Sequence, residues 1–169
     1  MAAKETLKPT TALRAVAVTL LLAAGYGACS ALVPLIKLDV IMLALAVLAP
    51  VALHMGLMRG LMPNLLVGML SGVLAVVAMW AVWFGFEHGW TPLWQTVQQG
   101  PKAITTTLRH LAATTSVSVT MSGSTTTHGP DTMRLLWALE TALIGGAPVL
   151  GALLSPIGQA RIARRVPAT

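Results

Sequence analysis

Apolar residues along this chain gather into four long blocks, at residues 12–36, 40–58, 64–86 and 135–155. Polar residues fall almost entirely between them. A helix that crosses a bilayer needs roughly 20 residues at about 1.5 Å rise each. Each block is therefore predicted to be a membrane-spanning helix, the second only just long enough. The first carries Ala23, Ala24, Gly25, Gly27, Ala28 and Ala31, small residues that let another helix approach closely in lipid. Pro34, Lys37 and Asp39 end it, and the connection is so short that the second helix must return antiparallel. Pro50 is expected to kink that second helix, because proline removes a backbone donor and crowds the preceding turn. Pro63 and Asn64 open the third, where Gly68 and Gly72 form a small-xxx-small pair continued by Ala75. In the fourth, Gly145, Gly146 and Pro148 weaken the middle, and Ala147 and Gly151 share a face with Glu140 and Ile144.

Residues 87–134 form the one sizeable piece outside the spans. Thr91 and Pro92 read as an N-cap and first helical residue. Gly100 and Pro101 then break the chain. Ile104, Leu108 and Leu111 recur at helical spacing, so residues 102–112 are predicted to form a short amphipathic helix, lying on the membrane or capping the bundle. From Ser116 to Met121 polar and apolar residues alternate, and Gly123 follows as a turn residue. A small hairpin and an irregular Ser/Thr-rich loop both fit that stretch.

Composition agrees with the spans. The chain of 169 residues is 56% hydrophobic and 9% charged, against about 25% charged in an ordinary soluble domain. The net charge of +6 would suggest nucleic acid in a soluble protein. Here the basic residues flank apolar blocks, which the positive-inside bias explains with no nucleic-acid partner. With four spans, Lys4, Lys8, Arg14, Arg59, Arg161, Arg164 and Arg165 fall on one side, which is then cytoplasmic and holds both termini. Lys37, Lys102, Arg109 and Arg134 fall outside. Trp83, Trp90, Trp94 and Trp137 gather where helix three exits and helix four enters, as an aromatic belt at the outer interface would. The basic start followed by an apolar run imitates a secretory signal, but the run continues to Ile36, so an uncleaved anchor is expected. The lone Cys29 can form no intramolecular disulfide and reads as a small packing residue.

Three sets of residues could carry chemistry. In "HMGLMRGLMP", His54, Met58 and Met62 stand at i, i+4 and i+8, with Met55 one turn from Met58. On one unbroken helix they could converge on a soft metal such as Cu(I). Gly56, Gly60 and Pro63 interrupt that helix, however, and Arg59 places a cation in it. The stretch reads instead as a turn whose methionines fill irregular gaps, and no metal or cofactor is expected. Glu140 is the sharper oddity, an acid about one and a half turns inside the fourth block. Intramembrane acids are costly and usually face the bundle interior. It reads either as a relay or subunit contact, or as a rim carboxylate satisfied by water or by Arg134. Glu87, His88, His110, His128 and Asp131 share the outer side, but their spacings match no compact metal motif. There is no phosphate-binding loop and no nucleophile elbow, so no catalytic residue is assigned and no enzyme is expected.

The stretch "PLIKLDVIMLALAV", a short Arg-bearing turn, a helix ending "AMWAVWFG", and then "LLWALETALIGG" resemble small four-span bacterial inner-membrane proteins of uncharacterised function. The resemblance rests chiefly on Asp39, Trp83, Trp137 and Glu140 and implies the topology and a bacterial inner membrane, with no activity to carry over. The expected fold is an all-α integral membrane protein with an outer cap between helices three and four. The expected partners are the lipid bilayer and other membrane subunits or further copies of the chain. The expected role is a non-catalytic subunit or scaffold of a larger inner-membrane assembly. The alternative is a small oligomeric transporter or channel with Glu140 in its pathway.

Overall fold

The structure, a computed structural model, describes residues 9–32, 36–57, 60–114, 117–121 and 124–157. Every apolar block is helical there. The elements are α1 (Pro9–Leu32), α2 (Ile36–Met55), α3 (Leu61–His88), α4 (Trp90–Gln98), α5 (Pro101–Thr114), β1 (Val117–Met121), β2 (Ser124–His128) and α6 (Pro130–Leu153). Three of them, α1, α3 and α6, are long and apolar enough to cross a membrane. α2 has 20 residues, and its apolar stretch Asp39–Met55 is shorter than those three.

Local chemistry moves several helix ends from where hydrophobic patterning puts them. α6 starts at Pro130 rather than residue 135. Proline is preorganised for a first turn that needs no donor, and Asp131 suits the positive end of the helix dipole. α3 starts at Leu61, after Gly60 at φ 85°, so Pro63 lies inside its first turn, where a missing N–H breaks no hydrogen bond. Thr91 and Pro92 do not begin α4. Gly89 at φ 98° is its N-cap and Trp90 its first residue. The left-handed backbone at Gly89 turns the chain from α3 into α4 within one residue. Pro50 and Pro148 sit inside continuous helices. The Ser/Thr-rich stretch closes as an antiparallel ribbon running from Val117 opposite His128 to Met121 opposite Ser124. Gly123 lies outside the described residues.

The four long helices form a ring in which α1 touches α2 and α3, and α6 touches the same two. α1 and α6 therefore face each other across one diagonal, and α2 and α3 across the other. Directions alternate. Gly27 lies on the backbone of Met79, and Ala12 and Ala15 pack with Leu57 and Val67, so α1 runs parallel to α3. Gly68 meets Pro148, Gly72 meets Gly145, and Gly151 meets Val51 and His54, so α6 runs against α3 and with α2. The α2–α3 turn and the start of α1 thus share one end of the bundle, with Arg14 exposed there. The cap sits at the other end.

Glycine makes these contacts possible. A Cβ at Gly27, Gly72 or Gly151 would overlap the facing backbone, and one at Gly68 would lie 2.8 Å from the Pro148 carbonyl oxygen. Gly146 is different, since a Cβ there meets nothing within 4 Å. Gly72→Ala is expected to destabilise the detergent-solubilised bundle by about 1–3 kcal/mol through overpacking. Gly146→Ala is expected to be neutral or to stabilise by up to about 1 kcal/mol, from helix propensity alone. Thermal unfolding of both variants checks this, and equal effects would mean that α3 and α6 do not meet backbone to backbone.

Candidate functional site

Two polar links cross the interior, one on each diagonal, at opposite ends. The first lies between α1 and α6. Tyr26 is 3% exposed, and it lines the same cleft as Glu140. Asp39 lies in the first turn of α2. One Asp39 oxygen, Oδ1, is buried with no hydrogen-bond partner among the described residues.

Glu140 and Tyr26 line a small open cleft, with Ser30, Met79, Trp80, Trp83 and Trp137 as its other main walls. The three indoles stand edge to face, with ring centroids 5.1–5.5 Å apart and planes inclined by 66–85°, the arrangement that the ring quadrupoles favour. Trp80 Nε1–H donates to Thr141 Oγ1 at 3.1 Å, which fixes its ring against α6. A carboxyl and a phenol in such a cleft can hold a water molecule and exchange a proton with it. Deeper in, the way is shut by an apolar layer of Ala23, Ala46, Ala75, Met79 and Ile144.

The second link joins α2 to α3. His54, Asn64, Ser71 and Ser155 are each 0% exposed. His54 Nδ1 lies 2.9 Å from the Pro50 carbonyl oxygen. A carbonyl only accepts, so Nδ1 carries the ring proton. On a neutral ring Nε2 is then an acceptor, and the Ser71 hydroxyl has two acceptors in reach, Nε2 at 3.0 Å and the Val67 carbonyl at 2.7 Å. One hydroxyl proton serves them in turn. One helical turn beyond Val67, toward the α2–α3 connection, Asn64 Nδ2 donates to the Leu57 carbonyl at 2.8 Å and to Ser155 Oγ at 3.0 Å. That side chain ties the α2–α3 turn to the end of α6. Its Oδ1 is buried without a partner among the described residues.

The structure sorts the sequence candidates. His54 and Met62, two members of the candidate soft-metal set, do not face a common point. His54 is enclosed and has both ring nitrogens engaged, whereas Met62 is 71% exposed. Met55 is half-buried, and Met58 lies outside the described residues. Among the described residues no three His, Cys, Asp or Glu side chains converge on a metal position. His88 stacks instead on Trp83 and Phe84, at 5.6 and 4.8 Å. Arg134 does not satisfy Glu140 but pairs with Asp131 at 3.3 Å on the surface, where such a pair contributes little. Gly68, Gly72 and Gly151 are buried at helix contacts. Hydrophobic patterning misses Tyr26, Asn64, Ser71 and Ser155. A signal for Tyr26 exists, because it is the chain's only tyrosine and stands in a run of glycine and alanine.

A double-mutant cycle of His54→Leu and Ser71→Ala tests the second link. Hydrogen bonds inside membrane bundles couple by about 0.6 kcal/mol on average, with a maximum near 1.7. A coupling in that range is expected from unfolding in detergent, and strict additivity would mean that the two side chains do not interact. No protein-family model, curated protein or solved structure matches the chain.

Proposed function

We propose that this chain is a non-catalytic integral membrane subunit that scaffolds a larger assembly in a bacterial inner membrane. It would cross the bilayer four times, with both ends on the cytoplasmic side. The observation that carries this reading is the closed interior. Helix backbones meet at Gly27, Gly72 and Gly151, and the apolar layer from Ala23 to Ile144 separates the two polar ends. A body packed in this way supports a framework role better than a conduit through a single chain. α2 supports the fourth crossing, because 20 helical residues span about 30 Å, the thickness of the hydrocarbon core. Arg14, exposed at the end that holds the start of α1, and the basic residues that flank the apolar runs in sequence support the orientation.

The Glu140 cleft favours a second reading, a small oligomeric transporter or channel. An acid that lines an open cleft and faces the bundle interior is what a proton or cation pathway begins with. Further copies of the chain would have to complete the path past the apolar layer.

Native mass spectrometry of the protein extracted from its own membrane in mild detergent separates the two. Release with other polypeptides at a fixed ratio is expected for the subunit. Release alone or as a homo-oligomer, together with proton or cation flux in liposomes that falls at least tenfold in Glu140→Gln, would establish the transporter instead.

A further inference from the structure

The two cap helices are both amphipathic, yet they dispose of their apolar faces in opposite ways. In α5, Ile104, Thr107, Leu108 and Leu111 are half-buried, and the helix packs against α6. Lys102, Arg109 and His110 of α5 point to solvent. In α4 the apolar residues Trp90, Trp94 and Val97 recur at i, i+4 and i+7, and they are 52%, 63% and 45% exposed. Thr91, Gln95, Gln98 and Gln99 occupy the other side. α4 therefore leaves about half or more of each of these apolar side chains uncovered by the protein.

We propose that α4 lies in the membrane interface, with Trp90, Trp94 and Val97 immersed at headgroup level beside the end of α3. Position is the first argument. Gly89 alone separates α4 from α3, a helix that can cross a membrane, so α4 starts where a span ends. Continuity is the second. Trp90 lies over Gly85 and stacks edge to face on Phe86 at 5.7 Å. Phe86 is itself 46% exposed, so the apolar patch runs from α3 onto α4. Side-chain chemistry is the third. Indole combines a large apolar body with one N–H donor, and tryptophan concentrates at bilayer interfaces for that reason. Finally, α4 has no charged residue. The attachment is apolar and does not need anionic lipid, unlike that of basic amphipathic helices.

The inference rests on the membrane reading of α3 and is independent of the subunit reading. The test uses the full chain with Cys29→Ala, reconstituted in phosphatidylcholine vesicles. Single cysteines at Val97, Gln95 and Val77 carry a small fluorophore. Nitroxide lipids labelled near the headgroup report immersion, and iodide on both sides of the vesicle reports water. At Val97, lipid quenching is expected to exceed iodide quenching several-fold. At Gln95 the order reverses. Val77 is exposed on the outer surface of α3 and should escape iodide, so water access there would instead overturn the membrane reading. Trp94→Glu should raise iodide quenching at Val97 several-fold and leave Val77 unchanged. Equal iodide quenching at Val97 and Gln95 would overturn the proposal, as would a Val97 label shielded from both quenchers, which means that protein covers the face. Lipid quenching at Val97 that appears only with anionic lipid would overturn it too.

Discussion

Contact between helix backbones is the constraint on which this bundle depends. Lipid tails are as apolar as leucine, so the helices gain no hydrophobic free energy by burying leucine against one another. They gain it from close packing, which grows as backbones approach. Gly27, Gly72 and Gly151 bring α1, α2, α3 and α6 together until a single Cβ would collide. The larger residues are displaced outward, and Leu66, Leu70, Val73 and Val77 form an exposed apolar stripe along α3. In water that stripe would be a liability, and in lipid it is the expected surface.

The same closeness decides where polar groups can go. Little room for water remains between touching backbones, and a buried polar group without a partner costs free energy. Most of the interior groups are consequently paired across the bundle. Tyr26 and Glu140 face one cleft from opposite sides of one diagonal, and His54 with Ser71 is hydrogen-bonded across the other. Because the ring places α1 opposite α6 and α2 opposite α3, each pair lies between two helices that share the least packing. Thr19 is satisfied on its own helix, donating to the Ala15 carbonyl at 2.7 Å. Asp39 Oδ1 and Asn64 Oδ1 stand apart, buried and unmatched among the described residues, one at each end. Between the two ends lies the apolar layer of Ala23, Ala46, Ala75, Met79 and Ile144.

Outside the bundle the helices answer to a different requirement. α5 buries its apolar face on α6 as a helix of a soluble protein does, whereas α4 exposes its own. The two lie one after the other in the chain and differ mainly in charge. α5 carries Lys102 and Arg109, and α4 carries no charge at all. A charged helix keeps its polar face in water and turns its apolar face to protein, while an uncharged one with two tryptophans suits the bilayer boundary.

By itself the sequence determined the four helices and their alternating directions, and it singled out Glu140 while leaving it between the interior and the rim. Long apolar runs and short connections leave few other arrangements, and an acid within such a run has few places to face. The small residues also announced themselves, because Gly68 and Gly72 recur at one-turn spacing. Only the tertiary structure decided the partners. Tyr26 lies 114 positions from Glu140, and Asn64 lies 91 from Ser155. Periodicity describes one helix at a time and carries no information about which side chains meet across a ring. His54 shows the limit well. Its neighbours in sequence, Met55, Met58 and Met62, suggested a ligand set, while its neighbours in space are Pro50 and Ser71. Along a strip of chain that is broken by glycine and proline, spacing ceases to measure distance.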